Sequence, residues 1–160
     1  MLTRLTFGVA LATSVLFGTS ALADDLDPLQ IFVSKDTQSL VVYDGDQVVA
    51  STNVSTGKPG HTTPSGIFSI IEKARMHHSN LYESAPMPFM QRITWDGVAL
   101  HEGSYVPSYP ASHGCVRLPA KFARSLWDIT KRGFHVVITD RELAPHAMQT
   151  ADLFKPRYPK

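Results

Sequence analysis

The stretch Ser112-His113-Gly114-Cys115-Val116-Arg117-Leu118 contains the only cysteine of this 160-residue chain. A single cysteine cannot form a disulfide within the chain, so Cys115 is either a buried apolar side chain or a thiol kept for its reactivity. His113 lies two positions before it, on the same face if the segment is extended. Gly114 leaves room for a substrate carbonyl to approach backbone N–H groups. The pattern favours a cysteine nucleophile.

A second histidine, His101, precedes this cysteine by 14 residues and ends a predicted β-hairpin. The dipeptide Asp96-Gly97 between two strand-like runs is a strong signal for a two-residue turn, because both positions tolerate positive φ. Counting outward from that turn pairs Arg92 with His101. A strand end can aim the imidazole at the loop that carries Cys115. His101 and His113 are therefore both candidates for the base that activates the thiol.

Most of the remaining chain predicts β-strands. β-branched runs alternate with polar, glycine-containing turns, and the first three runs predict a β-meander. The predicted strands in this part of the chain are Ile31–Val33, Ser39–Tyr43, Gln47–Val54, Ile67–Ile71 and Phe134–Ile138. The sequence thus predicts a mainly β chain.

One helix is predicted over Pro119–Arg132, with proline in its first turn, an apolar stripe, and Gly133 after its last residue. Between Arg75 and Met90, prolines and adjacent histidines interrupt both strand and helix periodicity, which predicts a mobile loop or lid. Three large aromatic residues are assigned to the core rather than to a ligand platform: Trp95, Phe122 and Trp127.

The N-terminus resembles a secretory signal. Arg4 precedes an uncharged, mainly apolar stretch from Leu5 to Leu22, and Ala21-Leu22-Ala23 fits the small-x-small cleavage rule. Residues 1–23 are therefore predicted to be a cleaved signal peptide, with a retained membrane anchor as the alternative. The acidic, proline-containing residues 24–30 are predicted to be a short leader. The predicted location is the periplasm.

One domain of ordinary size remains over residues 31–140, followed by a polar C-terminal tail over residues 141–160. The formal net charge is +1, and no basic face typical of nucleic-acid binding is evident. Adjacent histidines at positions 77 and 78 lack the spacing of a zinc site, so no metal is predicted. We expect a monomer without a cofactor.

Two groups of residues resemble the L,D-transpeptidase catalytic domain family, also called YkuD-like. The first is His101-x-Gly103 followed by the Ser112–Leu118 stretch, and the second is Gly57-Lys58 with Thr63-Pro64-Ser65-Gly66-Ile67-Phe68. Glu102 lies between His101 and Gly103, where many members have His-Gly directly. The resemblance implies a mixed-sheet β-sandwich or open barrel with one packed helix.

The resemblance also implies residue roles. Cys115 would be the acylated nucleophile and His101 the general base, while His113 would support the thiolate or the oxyanion. The backbone carbonyl of Glu102 would fix the tautomer of His101. Backbone N–H groups of Gly114 and Cys115 would form the oxyanion hole.

Three further side chains belong to the predicted site. Ser112 is grouped with the residues that orient the catalytic loop. Arg117 would hold the active-site strand or bind a substrate carboxylate, and an ion pair inside the protein is the alternative. Tyr105 is predicted to contact substrate, with simple packing as its alternative.

The implied reaction is transfer of a peptidoglycan stem peptide. The thiolate would attack the carbonyl of a diaminoacyl residue in a tetrapeptide stem, release the terminal D-alanine, and pass the acyl group to an amine. A second stem, a lipoprotein lysine, a free D-amino acid and water are the candidate acceptors. The alternatives are a carboxypeptidase or amidase built on the same site, and a catalytically inactive wall-binding module.

Overall fold

The protein is described by a computed structural model that covers residues 29–80, 82 and 84–142. These residues form nine strands and one helix, in the order β1 Gln30–Ser34, β2 Ser39–Asp44, β3 Gln47–Asn53, β4 Gly66–Ser69, β5 Glu72–His78, β6 Pro86–Arg92, β7 Ala99–Glu102, β8 Val116–Leu118, α1 Ala120–Ile129 and β9 His135–Thr139. The predicted signal peptide and nearly all of the predicted leader and C-terminal tail lie outside the described residues.

The first sheet has the strand order β3-β2-β1-β9-β4. The predicted meander forms its antiparallel β1-β2-β3 half. The last strand, β9, inserts between β1 and β4 and runs parallel to β1. Because β9 has a neighbouring strand on each side, it lies inside the sheet, and Val136 and Ile138 are buried on its inner face.

The second sheet has the order β5-β6-β7-β8, with β7 and β8 parallel. Residues from both sheets and from α1 share one hydrophobic core, so the sheets pack as the two layers of a sandwich. The fold is therefore mainly β, with two mixed sheets that do not close into a barrel over the described residues, and the predicted fold class is confirmed.

The helix is shorter than predicted, because it ends at Ile129 rather than at Arg132. Thr130 leaves helical geometry, and its hydroxyl lies 2.7 Å from the carbonyl oxygen of Leu126. The ammonium group of Lys73 on β5 also contacts the carbonyl oxygens at this end of the helix, including that of Thr130 at 2.6 Å. These contacts satisfy carbonyls that would otherwise lack partners. Gly133, with a φ of 92°, begins the turn into β9.

The sequence predicts a mobile loop or lid between residues 75 and 90. That prediction is wrong for most of the segment, because these residues form the β5-β6 hairpin. Pro86 and Pro88 lie in the part of β6 that pairs with β5 but not with β7. A proline is tolerated there because one side of the strand has no neighbouring strand to bond. Phe89 has a φ of 53°, which interrupts the regular alternation of side chains along β6. Without that alternation, the sequence does not show the period-two pattern that predicts a strand. Of the described residues in this segment, those between His78 and Pro86 belong to neither strand.

The predicted β6-β7 hairpin is present, but its register differs from the sequence prediction. Arg92 pairs with Ala99 instead of His101, a shift of two residues that leaves each side chain on the same face. The turn is longer because the Thr94 hydroxyl donates to Asp96 and accepts the Val98 N–H at 2.9 Å.

Trp95 lies on this turn and is 88% exposed, so its predicted place in the core is wrong. Among the described residues, no helix has the length and apolar character needed to cross a membrane.

Candidate active site

The parallel pairing of β7 with β8 brings the cysteine and histidine segments together. Leu100 pairs with Val116 and both are buried in the core. Since side chains alternate along a strand, His101 and its partner Arg117 lie on the opposite face of the sheet. Cys115, one residue before β8, lies on that same face. A thiol, an imidazole and a guanidinium therefore converge beside one cavity.

That cavity has a volume of about 710 Å³ and opens to solvent. Four segments form its walls: the loop after β3, the β5-β6 turn, the β6-β7 turn, and the chain from β7 to β8. The side chains of interest on these walls are His61, Tyr82, Asp96, His101, Ser112, His113, Cys115 and Arg117.

The loop that follows β3 is joined by hydrogen bonds to the segment that carries Cys115. Gly57 pairs with Ser112, and the Gly57 N–H donates to the Thr63 hydroxyl at 2.8 Å. That hydroxyl donates in turn to the Gly114 carbonyl at 2.7 Å. The two elements that resemble the family's upstream motifs thus hold the backbone next to Cys115.

The hydroxyl of Ser112 forms two hydrogen bonds within the segment that carries Cys115. It donates to the Cys115 carbonyl at 2.5 Å and accepts the Gly114 N–H at 3.1 Å. The Gly114 N–H is therefore bonded to Ser112 in the free protein, and its place in an oxyanion hole stays a prediction. The φ of Gly114, 118°, requires glycine, so this residue is needed for its conformation.

His101 is buried and has a fixed tautomer. Its Nδ1 atom lies 2.7 Å from the Glu102 carbonyl oxygen, which can only accept, so Nδ1 carries the proton and Nε2 is free to act as a base. Burial lowers the pKa of His101 to about 4; the Glu102 carbonyl opposes this shift, and Arg117 adds to it. His101 is thus a neutral imidazole at physiological pH.

The thiol of Cys115 is also uncharged in the free protein. Burial raises its pKa, while the Ala99 backbone N–H and the charges of Arg117 and Arg92 oppose the increase. Sγ lies 3.8 Å from the Gly97 carbonyl oxygen. The structure thus holds a neutral thiol and a neutral imidazole on one face of β7 and β8. A base is therefore needed to accept the thiol proton at the time of attack.

The low pKa of His101 predicts that stability falls with acidity. Between pH 6.5 and about 4, this histidine takes up a proton in the unfolded chain but not in the folded one. The free energy of unfolding should therefore decrease by about 3 kcal/mol from this group as the pH falls through that range. Urea unfolding of wild type and His101→Gln at several pH values measures the effect. A wild-type minus variant difference that does not change with pH would contradict it.

His113 lies apart from the buried pair, exposed at the cavity mouth. Its ring is 4.8 Å from that of His61 and 4.7 Å from that of Tyr82, measured between centroids. Desolvation lowers the pKa of His113, and the charges of Lys58, His61 and Arg117 lower it further. The geometry favours a supporting role for His113. The Tyr82 and His61 contacts were not predicted, since no local sequence pattern links the three segments.

Arg117 faces the cavity without an ion-pair partner among the described residues. A Cβ at Gly103 would lie 2.9 Å from the Cβ of Arg117, so glycine at this position allows the arginine side chain to pack closely over β7. The backbone of Arg117 pairs with Ser55. The side chain is therefore available for an anionic group of a substrate.

Tyr105 does not line the cavity, so the structure does not support its predicted substrate contact. Its hydroxyl lies 3.2 Å from that of Tyr109, and both rings are exposed. The loop after β7 folds toward the end of β3, where Ser55 donates to the Tyr109 carbonyl and Ala111 donates to the Thr56 carbonyl. Those bonds fix the loop against the residues that follow β3.

Within residues 29–80, 82 and 84–142, no three His, Cys, Asp or Glu side chains converge in a way that could hold a metal ion. The polar groups of the cavity are instead those of a nucleophile, a base and a cation. Such a set is of the kind that cysteine-dependent acyl-transfer enzymes use.

Comparison with known proteins agrees with this class. Residues 28–138 match the L,D-transpeptidase catalytic domain family, YkuD, which covers more than half of the chain. The chain belongs to the L,D-transpeptidase catalytic domain family. No curated protein matches the sequence.

Solved structures show the same fold. An L,D-transpeptidase from Xylanimonas cellulosilytica is 29% identical, with a TM-score of 0.65 over 72% of this chain and 62% of that one. One from Stackebrandtia nassauensis is 24% identical, with a TM-score of 0.65 over 75% and 61%. One from Mycobacterium smegmatis is 21% identical, with a TM-score of 0.64 over 69% and 58%. The chain thus spans about three fifths of the length of these structures.

Proposed function

We propose that this protein is a cysteine-dependent L,D-transpeptidase that acts on peptidoglycan stem peptides in the periplasm. The observation that carries the proposal is the placement of Cys115 and His101 on one face of β7 and β8, at the base of a cavity. Family membership supplies the reaction class. The cavity is large enough for a peptide segment.

The proposed donor step begins with a tetrapeptide stem bound across Cys115. His101 Nε2 takes the thiol proton while Sγ attacks the carbonyl of the diaminoacyl residue, which forms a tetrahedral oxyanion. The protonated imidazole then gives its proton to the leaving amine, and D-alanine departs. The product is a thioester on Cys115.

The oxyanion needs a donor that the Gly114 N–H cannot provide while it is bonded to Ser112. The backbone N–H of Cys115 remains as the donor nearest the attacked carbon. His113, at the cavity mouth, would add a second donor or a stabilising charge. Arg117 binds a carboxylate of the donor stem.

The second step transfers the acyl group to an amine acceptor, and the acceptor separates the candidate activities. A second stem gives a cross-link, a lipoprotein lysine gives wall anchoring, a D-amino acid gives exchange, and water gives a carboxypeptidase. We propose a stem amine as acceptor, which makes the protein a cell-wall cross-linking enzyme.

Intact-mass analysis with product chromatography tests this proposal. Incubation with a disaccharide-tetrapeptide should add the mass of the substrate less D-alanine to the wild type, and should yield a cross-linked dimer. A carbapenem should form an adduct at the same site, since a related L,D-transpeptidase is known in complex with imipenem. Cys115→Ala is the control and should gain no mass with either compound.

Other outcomes would replace the proposal. D-alanine release without dimer would indicate a carboxypeptidase, and cleavage of added dimers would indicate an amidase. Binding of wall fragments without any mass increase would indicate a wall-binding module.

A further inference from the structure

Four basic side chains lie at one side of the cavity, two on the loop after β3 and two on the stretch that carries Cys115. We call Lys58, His61, His113 and Arg117 the basic wall. His61, His113 and Arg117 line the cavity, and the two imidazole centroids are 4.8 Å apart. None of the four is the buried base described above. The basic wall is therefore a second feature of the site.

Backbone hydrogen bonds hold the loop that carries two of these side chains. The Lys58 N–H donates to the Ser112 carbonyl at 3.0 Å, and the Lys58 carbonyl accepts the His61 N–H at 2.9 Å. Because Ser112 precedes His113 directly, the loop and the catalytic segment are fixed to each other. The basic side chains are thus brought together by rigid backbone rather than by chance side-chain conformations.

The basic wall has no acidic partner among the described residues. The ion pairs found there join Lys35 to Asp140 and Arg92 to Glu72. Of the two acids on the cavity walls, Asp96 accepts a hydrogen bond from its own turn. Glu102 directly follows His101, and consecutive side chains of a strand point to opposite faces. Neither acid forms an ion pair with the basic wall.

Basic groups that lie together without a counter-ion disfavour each other's protonation, and this affects the pKa of His113. Desolvation is the largest cause of the lowered pKa of His113, and the charges of Lys58, His61 and Arg117 lower it further, which means that they disfavour a proton on its ring. A bound anion would reverse this effect. A carboxylate suits the site because guanidinium, ammonium and imidazole groups all donate to its oxygens.

We propose that the basic wall recognises a free carboxylate of the donor stem, so that the enzyme selects stems with unamidated carboxylates over amidated ones. The proposal rests on the proposed function and adds a substrate preference to it. The carboxylates in question are those of the D-glutamyl and diaminoacyl residues, since both occur amidated or free. A carboxamide has nearly the same size but no charge, so only the electrostatic contribution distinguishes the two.

Steady-state kinetics with matched donors tests the selection. Four disaccharide-tetrapeptides are compared, namely the free acid, each single amide and the double amide. The wild type should show a KM about tenfold lower for the free acid than for the double amide, with a similar kcat. If only one of the two single amides has a KM as high as that of the double amide, the carboxylate that it lacks is the one that is bound.

Lys58→Met is the informative variant, because it removes the charge and keeps the backbone hydrogen bonds of the loop. Its KM for the free acid should rise toward that of the amide, so that the variant no longer distinguishes the two donors. Lys121→Met, on the exposed surface of α1, is the matched control and should behave as wild type. Equal losses on both donors, or no change on either, would overturn the proposal.

A binding measurement keeps this inference separate from the proposed reaction. In Cys115→Ala, imidazole resonances are followed by NMR during titration with free-acid and doubly amidated tetrapeptide. The free acid should raise the pKa of His113 and the amide should leave it unchanged. If the wild type turns over neither donor but this shift occurs, the proposed reaction fails and carboxylate recognition stands. Absence of the shift with the free acid bound would contradict recognition.

Discussion

Replacing His101 by alanine should lower the rate of Cys115 acylation by about 10²–10⁴-fold. The thiol and the imidazole are both neutral in the free protein, because burial raises the pKa of Cys115 and lowers that of His101 to about 4. The thiol therefore depends on a base during attack. No other buried imidazole shares this face of β7 and β8 in the described residues.

Stopped-flow measurement of carbapenem acylation gives the rate directly. His113→Ala serves as the matched variant, since His113 is exposed at the cavity mouth and should affect the rate less. Thermal unfolding of both variants checks that the fold is retained. If His101→Ala acylates at nearly the wild-type rate across pH while His113→Ala does not, the two roles must be exchanged.

The pH dependence of the acylation rate distinguishes a base at His101 from a residue that only stabilises the fold. Because the pKa of His101 is about 4, the wild-type acylation rate should fall only when the pH approaches that value. A preformed ion pair would instead require a protonated imidazole at neutral pH, which burial of His101 disfavours. The rate of His101→Ala should follow the ionisation of the thiol and rise with alkaline pH.

The placement of Cys115 and His101 at one cavity could be predicted from the sequence because its signals are local. Cys115 and its neighbours occupy one short stretch, and His101 follows a hairpin turn that the Asp96-Gly97 dipeptide marks. The hairpin register was wrong by two residues, yet side-chain alternation has a period of two, so His101 still lies on the expected face.

Other parts of the site depend on contacts between segments distant in sequence. Tyr82 lies in a turn where the sequence shows no period, and its contact with His113 exists only because the β5-β6 hairpin folds over the cavity. The engagement of the Gly114 N–H depends on the rotamer of Ser112. Trp95 is exposed because the Thr94 hydroxyl orders a longer turn than the dipeptide signal implies. Propensity and periodicity do not encode such contacts.

Gly57→Ala should reduce acylation by at least about 10²-fold, although Gly57 contacts neither substrate nor thiol. A Cβ at this position would overlap the His61 carbonyl oxygen and lie 2.7 Å from the Thr63 nitrogen and 3.0 Å from the Gly114 Cα. All three are backbone atoms, so no side-chain rotation relieves the overlap. The loop must move away from the cysteine segment.

That movement would break a defined chain of hydrogen bonds. The Thr63 hydroxyl joins the Gly57 N–H to the Gly114 carbonyl, and Gly114 directly precedes the nucleophile. Displacing the loop leaves the Gly114 carbonyl without its donor and shifts Cys115 relative to His101. A shift of about 1 Å is enough to cost two orders of magnitude in rate when reacting groups must be aligned.

Gly60→Ala is the matched control in the same loop. Gly60 has a φ of 82°, so alanine there is strained, but its Cβ would meet no atom within 4 Å. It should lose some stability and keep most of the acylation rate, whereas Gly57→Ala should lose the rate even where thermal unfolding shows a folded protein. Carbapenem acylation of both variants decides the matter, because equal losses would mean that backbone strain, and not the overlap with the cysteine segment, accounts for the effect.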